Sequence, residues 1–69
     1  MTVDWSHKHQ FALICNLHTM YGIPPHSSGR YVKEVFPRLA WTEIYDIVSQ
    51  AVLNYDEIYA HLKKQGMVE

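Results

Sequence analysis

Apolar residues recur at helical spacing over most of the chain, and one short segment rich in proline, glycine and serine interrupts them. From about residue 5 to residue 21, the apolar side chains share one broad arc when successive residues are placed about 100° apart. Asp4 precedes this stretch as a candidate N-cap, and Gly22 follows it where a helix end favours left-handed backbone. The pattern therefore predicts a helix over about residues 5–21.

The interrupting segment, GIPPHSSG, occupies residues 22–29 and predicts a loop. Beyond it, Tyr31 and Val35 are four residues apart, and a second apolar pair keeps the same spacing. The residues would also suit a strand, but the sequence offers no second convincing strand to pair with it. We therefore expect a short helix over about residues 29–36.

The C-terminal half carries the longest apolar pattern. Pro37 can begin a helix because the N–H that it lacks would be unpaired in a first turn anyway, and neither Gly nor Pro follows until Gly66. We therefore expect a helical segment over about residues 38–65. Within it, one set of apolar residues alternates three and four apart, which is the spacing of a coiled-coil seam. The seam comprises Trp41, Ile44, Val48, Ala51, Tyr55, Ile58 and Leu62, and a neighbouring row comprises Tyr45, Val52 and Tyr59.

Two interpretations of this segment remain open at Asn54. Asn54 and Glu57 have the spacing of a capping box, which predicts that a new helix starts there. The apolar spacing nevertheless continues through Asn54 without a change of phase, which favours one long helix, straight or bent. With either interpretation, the expected fold is all-α: one small domain of three to four helices over residues 1–69, with a long C-terminal helical segment.

Composition and charge narrow the classes of function. A chain of 69 residues has little interior, so with 13% aromatic residues we expect some rings to be partly exposed, as they are at interfaces. Six Lys and Arg against seven Asp and Glu leave no basic surplus for coating nucleic acid. The N-terminal residues lack a signal pattern, and no apolar run approaches the length of a membrane span. We therefore expect a cytoplasmic protein without a membrane partner.

Candidate chemistry is sparse. Cys15 and His18 would share a helix face with His7, but there is no second cysteine and no pair of histidines at ligand spacing, so we expect ordinary packing and no metal. The chain also lacks paired carboxylates at one site and a phosphate-binding glycine loop. We accordingly expect no cofactor, no small-molecule substrate and no enzymatic activity.

The aromatic residues of the C-terminal half are the strongest functional signal. Tyr and Trp are favoured at interfaces because they bury a large area at low entropic cost. The predicted contact residues are Trp41, Tyr45, Tyr55 and Tyr59, with Arg30, Tyr31 and Lys33 as a second, polar patch. The sequence thus predicts a small regulator or adaptor that forms a homodimer through its aromatic face and binds another, unidentified protein.

The alternative is a helix-turn-helix DNA-binding regulator, which would require two helices meeting at Asn54. The residues available for DNA contact would be Tyr59, His61, Lys63 and Lys64. Asp56 and Glu57 belong to the same stretch, and their carboxylates would repel phosphate. The sequence therefore favours a protein over nucleic acid as the partner.

Overall fold

The computed structural model describes residues 3–68, and Met1, Thr2 and Glu69 lie outside this range. The four α-helices are α1, Lys8–Tyr21; α2, Gly29–Val35; α3, Trp41–Leu53; and α4, Tyr55–Lys64. Two single 3-10 turns, Trp5–His7 and Pro25–Ser27, precede α1 and α2. Residues 3–68 contain no strand, and the predicted all-α fold class is confirmed.

The first helical region begins and ends at the expected signals. The Asp4 carboxylate accepts the Ser6 N–H at 3.1 Å and caps the 3-10 turn that leads into α1. At the other end, Gly22 adopts a left-handed φ of 71°, and its N–H donates to the His18 carbonyl at 3.0 Å. The expected helix over residues 5–21 is thus a 3-10 turn followed by α1.

The loop between α1 and α2 is organised around its prolines and serines. Ser28 is fully buried at the N-cap of α2, but its hydroxyl donates to the Pro25 carbonyl at 2.6 Å and makes no capping bond. This bond closes the 3-10 turn Pro25–Ser27 against the start of α2. The short helix then forms close to its expected position and buries Val32 in the core.

Helix α3 begins at Trp41. The expectation that Pro37 starts this helix is therefore wrong. The chain makes a turn after α2, in which the Leu39 N–H donates to the Phe36 carbonyl at 3.1 Å. The Lys33 ammonium donates to the carbonyls of Pro37 and Leu39 at 3.1 and 2.7 Å. These bonds hold the two carbonyls to a side chain of α2, so the turn is fixed by a contact that local propensity does not reveal.

Helices α3 and α4 are separate, which decides between the two interpretations of the C-terminal segment. Only Asn54 lies between them, with φ −126° and ψ 31°. Its N–H still donates to the Gln50 carbonyl and its carbonyl still accepts the Ile58 N–H, both at 2.9 Å. Because a single residue leaves the helical path, the apolar spacing passes through the break with its phase kept.

The capping box expected at this break does not form. The Asn54 side-chain amide donates backward to the Gln50 carbonyl at 3.4 Å and makes no capping bond to α4. At the far end of α4, Gly66 ends the helix as its position predicted, with φ 73°. The Met67 N–H donates to the Leu62 carbonyl at 2.9 Å and the Gly66 N–H to the Lys63 carbonyl at 3.0 Å, the two bonds of a Schellman motif.

All four helices contribute to one core. Its most deeply buried apolar side chains are Phe11, Ile14 and Cys15 from α1, Val32 from α2, Ile44, Ile47 and Ala51 from α3, and Ile58 and Leu62 from α4. Gln50 is the buried polar residue of α3: its side-chain oxygen accepts the Asp4 N–H at 2.8 Å, and its amide nitrogen donates to Asp46 at 3.0 Å. Gln50 therefore fastens the N-terminal segment to α3.

Candidate protein-interaction surface

Helix α3 carries apolar side chains in two directions. Ile44, Ile47 and Ala51 are buried in the core. A second apolar row is spaced four, three and four residues apart, which places its members within one narrow stripe of the helix. This row, called here the α3 outer face, comprises Trp41, Tyr45, Val48 and Val52.

The α3 outer face is largely open to solvent. Trp41 is 44% exposed, Tyr45 63% and Val52 46%, whereas Val48 is half-buried and packs against the core. The rings of Trp41 and Tyr45 lie 5.8 Å apart between centroids and are tilted by 33°. The four members carry no charge, so the helix presents a continuous apolar strip where a solvated face would carry polar side chains.

A cation sits at one end of this face. The Lys33 ammonium lies 5.7 Å from the centre of the Trp41 ring, within the range of a cation–π interaction. The same ammonium donates to the Pro37 and Leu39 carbonyls, so it is held in place below the ring. Lys33, predicted as part of a polar patch, therefore also supports the first turn of α3.

The four predicted aromatic contact residues divide into two ring pairs. Tyr55 and Tyr59 are both half-buried and stack on each other at 5.9 Å, with only 11° between their planes. Tyr55 also meets the His18 ring of α1 edge-on at 5.2 Å. Tyr55 thus packs against α1 and Tyr59 stacks on Tyr55, whereas the rings of Trp41 and Tyr45 are exposed to solvent on α3.

Tyr55 reaches the one cysteine of the chain. Cys15 is fully buried, and burial raises the pKa of its thiol to about 11. Burial also raises the pKa of Tyr55 to about 12, and the neighbouring thiol adds to the increase. Both groups are therefore protonated at neutral pH, and the Cys15 thiol lacks the exposure and the thiolate character of a reactive cysteine.

The polar patch and the residues considered for DNA contact lie on different helices. On α2, Arg30 is exposed and Tyr31 half-buried. On α4, the His61 ring packs on Trp5 with centroids 4.1 Å apart, and the Lys63 ammonium lies 5.6 Å from the centre of the Tyr59 ring. Lys64 is exposed in the last turn of the same helix.

The valines at positions 48 and 52 complete a surface that the sequence interpretation had not assembled. Their signal was present, because positions 41, 45, 48 and 52 repeat the four-three-four spacing of a helix-packing stripe. The predicted seam also includes Trp41 and Val48, but on α3 only its members Ile44 and Ala51 became buried core, together with Ile47. The spacing in the sequence placed apolar residues on more than one side of α3. It did not show which side the rest of the chain would cover.

Among residues 3–68, no three His, Cys, Asp or Glu side chains come together as a metal site would require. No helix in the same range combines the length and the apolar character needed to cross a membrane. Comparisons of the chain with protein-family models, with curated proteins and with solved structures find no match. Functional inference therefore rests on the geometry of the chain itself.

Proposed function

We propose that this protein is a small, non-enzymatic regulator or adaptor that acts by protein–protein interaction and forms a homodimer through the α3 outer face. The exposed Trp41–Tyr45 ring pair is the observation that carries the proposal. Large aromatic side chains are enriched among the residues that dominate binding energy at interfaces. The cytoplasmic location expected from the N-terminal sequence remains a prediction.

The spacing and charge of the α3 outer face support self-pairing. A four-three-four apolar stripe is the surface with which two helices pack side by side. In a two-fold dimer the same patch meets itself, so a charge on the stripe would be buried, without compensation, against the apolar stripe of the other copy. Its four residues are uncharged, and Thr42 and Ser49 beside them are uncharged as well.

The size of the face sets the expected strength. The exposed parts of Trp41 and Tyr45 offer on the order of 100–150 Å² each, and Val52 adds a smaller area. Stable interfaces bury roughly 800 Å² on each partner. The α3 outer face supplies about half of that, so we expect a weak homodimer that dissociates on dilution, leaving the face available to another protein.

The helix-turn-helix alternative has less support. Asn54 alone separates α3 from α4, whereas that motif uses a turn of roughly three or four residues. Asp56 and Glu57 occupy the first turn of α4, the end that enters the major groove in such proteins. A fluorescent random-sequence duplex that bound tightly at low salt, with a steep loss at moderate salt, would favour the alternative.

Sedimentation velocity over a range from about 10 µM to about 1 mM tests the proposed homodimer. We expect the sedimentation coefficient of the unmodified protein to rise with concentration. Tyr45→Lys should keep it at the monomer value, because each copy would place an ammonium against the other.

Tyr21→Lys is the matched control. Tyr21 is 70% exposed, lies outside the α3 outer face and occupies the last position of α1, where a cation is favourable. This variant should associate like the unmodified protein. A protein that stays monomeric throughout the range, or equal weakening by both substitutions, would contradict self-association through α3.

A further inference from the structure

A second concave surface lies between α1 and the connection from α2 to α3. It is a cleft of about 310 Å³ that is open to solvent. Its lining comprises Gln10, Val35, Phe36, Pro37, Arg38 and Leu39. The cleft shares no residue with the α3 outer face, so it is independent of the proposed homodimer.

The walls of the cleft are mainly apolar. Val35 lines the cleft and is 56% exposed, whereas Val32, the other valine of α2, is buried in the core. Phe36 and Leu39 are half-buried and pack against the core from the same wall. An exposed valine beside two partly buried large side chains forms a surface suited to another apolar side chain.

Gln10 brings an unpaired polar atom to this site. Its side-chain oxygen is buried and has no hydrogen-bond partner among residues 3–68. Buried polar atoms in folded proteins are nearly always paired, because an unpaired one loses its hydration without compensation. Gln10 as a whole is half-buried, so a rotation of its side chain would bring the carboxamide, which offers both a donor and an acceptor, to an occupant of the cleft.

Arg38 supplies the charge at the cleft. It is exposed and takes part in none of the ion pairs or hydrogen bonds among residues 3–68. A guanidinium with no partner among residues 3–68 is suited to pair with a carboxylate. The cleft therefore combines an apolar wall, an unpaired amide and a free cation.

We propose that this cleft binds a short segment of a partner protein, which packs a large apolar side chain on Val35, Phe36 and Leu39. The segment places an acidic residue beside Arg38, and one of its peptide groups pairs with the Gln10 amide once that side chain has turned toward the cleft. A peptide fits better than a small molecule, because ligand pockets enclose most of their ligand and start at roughly 300 Å³. An open cleft at the bottom of that range leaves one side of its occupant in solvent.

Amide chemical shifts of the full chain, followed during titration with two capped tripeptides, test this assignment. The probes are acetyl-Leu-Leu-Asp-amide and acetyl-Leu-Leu-Lys-amide, which differ only in the last side chain, acidic in the first and basic in the second. We expect shifts at Gln10 and residues 35–39, with the acidic probe binding roughly two- to fivefold more tightly, the range of an exposed ion pair.

Two variants make the test specific. Arg38→Glu changes an exposed side chain and should reverse the preference between the two probes. Gln10→Met keeps a similar shape while removing the unpaired amide, so it should weaken binding of the acidic probe roughly two- to tenfold without lowering the melting temperature. A Gln10 side chain needed only for folding would show the opposite pattern, with a lower melting temperature and unchanged binding.

Several results would overturn the proposal. Equal affinity for the two probes would remove the role of Arg38, and shifts confined to α3 would place the binding surface elsewhere. An absence of shifts with both probes up to about 10 mM would leave the cleft without peptide affinity. None of these results bears on the homodimer, because sedimentation of the Tyr45 and Tyr21 variants tests that separately.

Discussion

Helices α3 and α4 each carry a pair of aromatic residues four positions apart, and the two pairs have opposite environments. Trp41 and Tyr45 lie at the surface of α3, 44% and 63% exposed. Tyr55 and Tyr59 lie half-buried on α4, stacked on each other, and Tyr55 contacts Cys15 and His18 of α1. Identical spacing and similar chemistry have thus produced part of the core in one helix and an open surface in the other.

The difference comes from what lies opposite each pair. Helix α1 runs alongside α4, so its His18 and Cys15 meet Tyr55. Helix α3 uses its other side, with Ile44 and Ile47, to close the core, and this turns Trp41 and Tyr45 away from it. Aromatic spacing along a helix therefore identifies a packing surface, and the position of the neighbouring helices decides whether the chain itself covers it.

Truncating one ring from each pair should give the largest contrast. Tyr55→Ala removes a half-buried ring from the contact with α1 and should cost on the order of 2–3 kcal/mol of unfolding free energy. Tyr45→Ala removes a ring exposed to solvent and should cost at most about 0.5 kcal/mol. Urea unfolding of the two variants measures both values, and equal costs would show that the two pairs do not differ as their burial indicates.

Alkaline pH should weaken the contact of Tyr55 with Cys15, and the exposed pair Trp41 and Tyr45 should not contribute to this loss of stability. The ordinary pKa values are 9.0 for Cys15 and 10.0 for Tyr55, and the folded protein raises them to about 11 and about 12. At pH values between the ordinary and the raised pKa of each group, the folded state holds protons that the unfolded chain releases, so rising pH favours unfolding. Stability is fully present below about pH 9 and is lost as the pH rises to about 12, by on the order of 2 kcal/mol for the buried thiol.

Urea midpoints at about pH 8 and about pH 11 measure this loss. The double substitution Cys15→Ala with Tyr55→Phe should make the two midpoints more alike, because neither ionisable group remains at the contact. Tyr45→Phe, on the exposed pair, should leave the alkaline loss as it is in the unmodified protein. A loss that survives the double substitution would have to come from other groups.

Local signals predicted much of the fold because they act within a few residues. Gly22 and Gly66 end their helices with φ values of 71° and 73°, the left-handed backbone that glycine adopts most easily. The all-α class followed from apolar spacing together with the absence of a second convincing strand. These features depend on backbone preferences and on the periodic spacing of apolar side chains, and both can be identified directly from a sequence.

The remaining features depend on contacts between distant parts of the chain. Pro37 has the chemistry of a first helical residue, yet its carbonyl is held by Lys33 of α2. The capping-box spacing correctly marked Asn54 as a helix boundary, but the Asn54 amide bonds backward to Gln50. The predicted interface includes both Tyr55 and Trp41, and the sequence does not show that Tyr55 packs against His18 of α1 whereas Trp41 is exposed.

The two lysines that approach these ring pairs provide the finest comparison. Lys33 lies 5.7 Å from the Trp41 ring and Lys63 lies 5.6 Å from the Tyr59 ring, so both lie within cation–π range, with Trp the stronger partner. Only the Lys33 ammonium also donates to the Pro37 and Leu39 carbonyls. The difference in cost between the two alanine substitutions therefore combines the hydrogen bonds that hold the turn before α3 with the stronger cation–π contact to Trp41.

We expect Lys63→Ala to cost about 0.5 kcal/mol, as for an exposed cation–π contact, and Lys33→Ala about 1–1.5 kcal/mol, because charge-assisted bonds to two carbonyls are lost as well. Urea unfolding of both variants at one salt concentration gives the comparison. If the two substitutions lower the free energy of unfolding equally, the bonds from Lys33 to the carbonyls contribute nothing measurable. The turn before α3 would then be fixed by the packing of Phe36 and Leu39 on the core. If Lys33→Ala costs more, the α3 outer face depends on a side chain from α2 for the position of its first ring.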